Sequence, residues 1–150
     1  MSPPASVTLS VLDRLRGGEG PRVARIRDGI RQDLQDLLNT PNRVIGWSQA
    51  LDQLDTSILN YGITDLCTAN LSTEQQRAAV VEEIGRMIRL YEPRLSDMRI
   101  HALANADPSD RSLRLRIEAR IYVENEVEPI IFNTVVDPVL NAISLSSATS

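Results

Sequence analysis

The hydrophobic repeat of this chain changes once, at Pro93. Before that point apolar residues recur at steps of three and four, the spacing that lines one face of an α-helix. After it they recur at steps of two, which sends alternate side chains to opposite faces of a strand. Val23, Ile26, Ile30, Leu34, Leu37 and Leu38 make the first helical stripe, with Arg25, Arg27, Asp28, Arg31, Gln32, Gln35 and Asp36 on the other side. Asn39-Thr40-Pro41 stops this helix, because a proline disfavours helical geometry in the residue before it. Val80, Val81, Ile84, Met87, Ile88 and Tyr91 make a second stripe. Its helix is predicted to start at Ser72, where Ser72-Thr73-Glu74-Gln75 places a hydroxyl three residues ahead of a glutamine in the capping-box arrangement. Pro93 ends it.

The clearest strand follows, with Leu113, Leu115, Ile117, Ala119, Ile121 and Val123 alternating with Arg114, Arg116, Glu118, Arg120 and Tyr122. A weaker alternating run, Met98, Ile100, Ala102 and Ala104, precedes it, and the polar stretch from Asn105 to Asp110 between them predicts an antiparallel hairpin. Glu124-Asn125-Glu126 marks a second reversal, after which Ile130 to Val136 is apolar on both faces, as a central strand would be. The tail from Ser144 to Ser150 is small and polar and is expected to fray. Helices first and strands afterwards, without βαβ alternation, indicate an α+β fold: N-terminal helices packed on one face of a small antiparallel C-terminal sheet. Such a sheet has edges that can pair with a strand of another chain.

A chain of 150 residues has room for one domain. The expected organisation is a flexible arm over 1–20, a single α+β domain over 21–145 and a frayed tail over 146–150. Within the arm, Val11 to Leu15 reads either as a docking segment or as a helical turn packed on its own domain. Between the two helices the pattern is weak; Trp47 reads as a packing anchor and Tyr61-Gly62 as a helix terminator.

The function classes that need special chemistry find little support. A net charge of −4 and 3% aromatic residues argue against nucleic acid, which calls for a basic surface and stacking platforms. All sixteen basic residues are arginine, so any interface will be rich in planar, bidentate donors. The single Cys67 has no partner for a disulfide or a zinc site and reads as a packing residue. Met1 to Leu15 lacks the pattern of a secretory signal and no apolar run reaches membrane-spanning length, so a cytoplasmic protein without membrane insertion is expected. Gly17-Gly18-Glu19-Gly20 lacks the lysine of a phosphate loop. Glu118, Glu124, Glu126 and Glu128 could be read as glycosidase carboxylates, but alternation puts Glu118 on a wet face and the others in a turn, where they stay solvated. His101, the only histidine, falls on the polar phase of its strand. No cofactor, metal or catalytic residue is assigned.

Leu90-Tyr91-Glu92-Pro93-Arg94-Leu95 is different in kind. It sets opposite charges around a proline at the joint between helix and sheet, and Pro93 restricts the directions of Glu92 and Arg94. The segment serves either as a rigid recognition element or as a helix stop with an internal salt bridge.

Several segments resemble, in order, those of TssE, the type VI secretion relative of the short baseplate wedge protein of contractile phage tails. Ser10-Val11-Leu12-Asp13-Arg14-Leu15 is similar to the family's N-terminal motif, Leu37-Leu38-Asn39-Thr40 to the end of its first helix, and Ser57 to Gly62 to its Asn-Tyr-Gly segment. Tyr91-Glu92-Pro93-Arg94-Leu95 is similar to its Glu-Pro-Arg signature, and Leu113 to Arg120 with Glu128 to Asp137 to its strand pair. Thr40-Pro41-Asn42-Arg43 departs from the pattern, in which an arginine often follows Asn-Thr directly, and Asn141 stands where a glycine-containing turn is commoner.

The resemblance implies a structural, non-enzymatic baseplate subunit with a fold similar to the terminal domain of the sheath protein, at work in a membrane-docked cytoplasmic complex. It implies the wedge subunits TssF and TssG as partners and sheet pairing with the sheath proteins TssB and TssC, so that sheath assembly starts from the baseplate. The interaction residues expected are Glu92, Pro93 and Arg94 at the corner, Leu12 and Leu15 in the arm, and Arg114 and Arg116 on the wet strand face. The competing readings are a peptidoglycan-cleaving, lysozyme-like hydrolase and a generic adaptor that binds an acidic partner through its arginines.

Overall fold

The structure is a computed structural model. It describes residues 6–16, 20–40, 71–107, 109–124, 126–140 and 142–148. Trp47, Tyr61-Gly62, Cys67, Arg43 and residues 17–19 of the glycine-rich stretch lie outside the described residues.

Among the described residues, three helices precede four strands. A short α1 spans Val11–Arg16, α2 spans Arg22–Asn39 and α3 spans Glu74–Tyr91. The strands β1 (Ser96–Leu103), β2 (Leu113–Val123), β3 (Glu126–Asp137) and β4 (Ala142–Ala148) form one antiparallel sheet in the order β1-β2-β3-β4. The α+β expectation holds, with the helices on one face of the sheet. α2 packs on β4 and α3 on β1.

The periodicities explain this arrangement. Ile26, Ile30, Leu34, Leu37 and Leu38 are buried along α2, and Ile84, Met87 and Ile88 along α3. They meet the inward phase of the sheet, where Leu113, Leu115, Ile117, Ala119, Ile121 and Val123 of β2 are all buried while the intervening residues are not. Thr40, in an extended conformation, caps α2 where the proline behind it requires a non-helical residue.

The start of α3 lies one residue later than the capping-box expectation. Thr73, not Ser72, is the cap: its hydroxyl accepts from the Gln76 N–H, and Gln76 Oε1 accepts from the Thr73 N–H. Both registers have a hydroxyl followed three residues on by glutamine. The observed one starts the helix at Glu74.

Three strand expectations change. The second reversal is shorter than its acidic composition implied, since Glu126 and Glu128 belong to β3 rather than to the turn. The stretch from Ser144 to Ala148, expected to fray, is part of β4, because Ile143 and Leu145 are only 4% and 7% exposed and hold it to the core. Ile130 to Val136 is central, but only one face is deeply covered: Ile130, Phe132, Thr134 and Val136 are buried, Ile131 and Val135 half-buried and Asn133 exposed. Pro129 sits in β3 before the first β4 partner, Ala148, which pairs with Ile131. There β2 is the one neighbour of β3 among the described residues, and a missing N–H is tolerated.

Thr134 is 1% exposed, and its hydroxyl finds no partner among the described residues. A buried donor without an acceptor is costly, and valine has nearly the same shape. Thr134→Val is therefore expected to stabilise the domain by about 1 kcal/mol, read as a higher midpoint in urea; a lower midpoint would mean that the hydroxyl is satisfied.

Candidate functional site at the helix-sheet corner

α3 ends where Pro93 follows Glu92. Glu92 leaves helical geometry at φ −123° and ψ 74°, while its N–H still donates to Ile88 O at 2.8 Å. Its C=O accepts from the Leu95 N–H at 3.3 Å, which closes the turn into β1. This tight corner turns the Glu92 side chain inward, to 4% exposure, although glutamate is rarely buried without a partner.

Arg94 is that partner. Its Nε donates to Glu92 Oε1 at 2.5 Å and its Nη2 to Glu92 Oε2, a bidentate pairing across the proline. Nη2 also donates to Asp33 Oδ2 of α2, at 2.6 Å. The Arg94 side chain is 20% exposed and that of Asp33 31%. The hydrogen bond to Glu92 holds the guanidinium well above its ordinary range, against burial, which pulls the other way; the Asp33 carboxylate adds to the rise. One cation thus ties the end of α3 and the start of β1 to the middle of α2. The internal salt bridge, one of the two alternatives for this segment, is present.

Asp33 was not among the residues singled out from the sequence, yet a signal existed. It lies three residues after Ile30 and four before Leu37, so it falls within the apolar stripe of α2 rather than opposite it. An acid at such a phase needs a cation.

The corner forms one wall of a groove of about 530 Å³, bounded also by α1 and α2 and lined by Val11, Leu12, Leu34, Leu37, Tyr91 and Pro93 together with the charged triad. α1 is helical and touches α2, but Val11, Leu12 and Leu15 are 71%, 59% and 77% exposed. The chain just before it is laid along the sheet end. Val7 is buried, its N–H donates to Tyr122 O, and Ser6 Oγ accepts from the Glu124 N–H.

Arg114 and Arg116 lie on the open face of β2, away from this groove. β2 is an inner strand, so these arginines are not at a sheet edge; among the described strands the edges are β1 and β4. Arg114 pairs with Asp110 at 3.2 Å, and Arg120 with Asp97 at 3.2 Å. Arg116 Nε lies 3.1 Å from Glu118 Oε1 without the alignment of a hydrogen bond. His101 is exposed. Glu92 is the only carboxylate in the buried class among the described residues, and both its oxygens bond Arg94. No group of His, Cys, Asp and Glu among them could hold a metal ion, and none of their helices is long and apolar enough to cross a membrane.

Residues 24–126, well over half of the chain, match the baseplate wedge protein gp25 family. The chain belongs to that family. TssE proteins are members of it, so the resemblance drawn from the ordered motifs is confirmed at family level. The matched span contains α3, β1, β2, the Glu92-Pro93-Arg94 corner and nearly all of α2. As a gp25-family protein the chain is a structural baseplate component of a contractile tail system. No curated protein matches the chain significantly.

Proposed function

We propose that this gp25-family protein is the TssE subunit of a type VI secretion baseplate, a non-enzymatic part that binds TssF and TssG and starts TssB/TssC sheath assembly at a membrane-docked cytoplasmic complex. The observation that carries the reading is the corner: a proline-restricted turn locked to α2 by the Asp33, Glu92 and Arg94 triad, at the wall of an apolar groove. A partner segment lying in that groove meets a surface already ordered, so little conformational entropy is lost on binding. Pro93 and Arg94 line it together with Leu12, and Leu15 is a further exposed apolar side chain of α1. Sheet pairing to the sheath uses one of the two edge strands.

A Leu12→Asp, Leu15→Asp variant separates this function from folding, since both side chains are already in water. It is expected to melt within a few tenths of a kcal/mol of the parent and to bind purified TssF/TssG at least ~10-fold more weakly. Unchanged affinity would remove the segment from the interface. Charge reversal at Arg114 and Arg116 is the comparison: a larger loss there would favour an adaptor that works by charge. Release of peptidoglycan fragments by purified protein, abolished by Glu92→Gln, would overturn the non-enzymatic reading.

A further inference from the structure

The open face of the sheet has a hollow of about 510 Å³ over β1, β2 and β3, lined by Asp97, Arg99, Glu118, Arg120, Pro129 and Ile131. Its shape begins with the backbone. Three residue steps on β1, from Ser96 to Arg99, lie against two on β2, from Arg120 to Glu118, and Asp97 takes the left-handed conformation at φ 50°. Such a bulge bends a strand and re-aims its side chains. On the β3 side, Pro129 and Ile131 form an apolar wall. Among the described residues, β4 pairs no further along this wall than Ile131, opposite Ala148.

The charges in the hollow do not balance. Asp97 pairs with Arg120 at 3.2 Å, and Glu118 with Arg116, the next outward residue of its own strand, at 3.1 Å. Arg99 stands directly across from Glu118 in the register, yet it pairs with no acid among the described residues. Its side chain is exposed, across the hollow from the apolar wall. Arg99, Arg116 and Arg120 thus face only Asp97 and Glu118, so one cation is left over here in a chain whose net charge is −4. Arg114 and Arg116, the two arginines of this face expected from the sequence to meet partners, both have acids of their own.

We propose that the hollow takes an acidic side chain of a partner protein, whose carboxylate pairs with Arg99 while an apolar neighbour of that acid lies against Pro129 and Ile131. A guanidinium offers a carboxylate two parallel N–H donors, so one well-placed acid completes the set of pairs. A partner rich in phosphate fits less well, because Asp97 and Glu118 line the same hollow. The site lies on the face of the sheet turned away from the helices, apart from the corner groove. It rests on the assembly reading above, which supplies the partners for its test.

The chain has no lysine, which gives a direct test. Arg99→Lys keeps the positive charge and installs one side-chain amine, and a carbodiimide joins an amine as an amide only to a carboxylate in contact with it. The full chain carrying this substitution is mixed with purified TssF/TssG and, separately, with TssB/TssC, cross-linked, and mapped by mass spectrometry. The expected product links position 99 to one aspartate or glutamate of a partner. Arg89→Lys, exposed on α3, should not form it. Arg99→Ala is expected to weaken binding to that same partner at least ~10-fold, with the urea midpoint unchanged. Complexes in which position 99 links only to Glu118 of its own chain, or to nothing, would overturn the proposal and leave the assembly reading intact, as would unchanged affinity in Arg99→Ala. Failure of the parent chain to bind either pair would defeat the assembly reading and the proposal with it.

Discussion

Arg94→Ala is expected to destabilise the isolated domain by about 3 kcal/mol, because it leaves the Glu92 carboxylate buried with no cation. For a chain of this length that corresponds to a fall of roughly 6–12 °C in melting temperature. The loss should exceed that of Glu92→Gln, which removes the buried charge instead of stranding it. The two effects should not add. In the double variant the unpaired carboxylate is gone, so part of the loss from Arg94→Ala is recovered, and a double-mutant cycle by thermal or urea denaturation measures the coupling. Arg94→Lys keeps the charge but cannot make the planar pairing through Nε and Nη2, and should fall between the two. If Arg94→Ala melts with the parent and loses only TssF/TssG binding, the guanidinium serves the partner rather than the fold.

Phe132→Ala is expected to lose more, about 4 kcal/mol, from the transferred ring and the cavity it leaves. Phe132 is the only phenylalanine of the chain, is fully buried in β3, and is paired with Ile117 on one side and Ser147 on the other. With aromatics at 3% of the sequence, little else in the core could collapse into the space of a missing ring. The urea midpoint should drop with the slope unchanged, while Phe132→Leu should cost less than about 1.5 kcal/mol. A loss below about 1 kcal/mol for Phe132→Ala would mean that the helix layer is loosely packed over β3.

Periodicity read from the sequence determined that two helices come before a sheet, which face of each is buried, and that β1 and β2 form a hairpin. It could do so because an amphipathic pattern reports locally which side of an element faces an apolar layer. It also placed Glu92-Pro93-Arg94 at the joint, since a proline acts on its immediate neighbours. Short polar motifs were less legible. Ser72 and Thr73 each satisfy the capping pattern, so the pattern alone does not choose between them; in the structure it is Thr73 that caps the helix. The serine-rich end looked loose because its two anchors, Ile143 and Leu145, are few; a ready-made neighbour in β3 makes them sufficient. What Arg94 and Asn39 do was decided by tertiary structure alone. Arg94 meets Asp33 across 61 residues and Asn39 meets Ile143 across 104. Contacts at such separations depend on how α2 lies over the sheet, and that is set by the core as a whole rather than by the residues that meet.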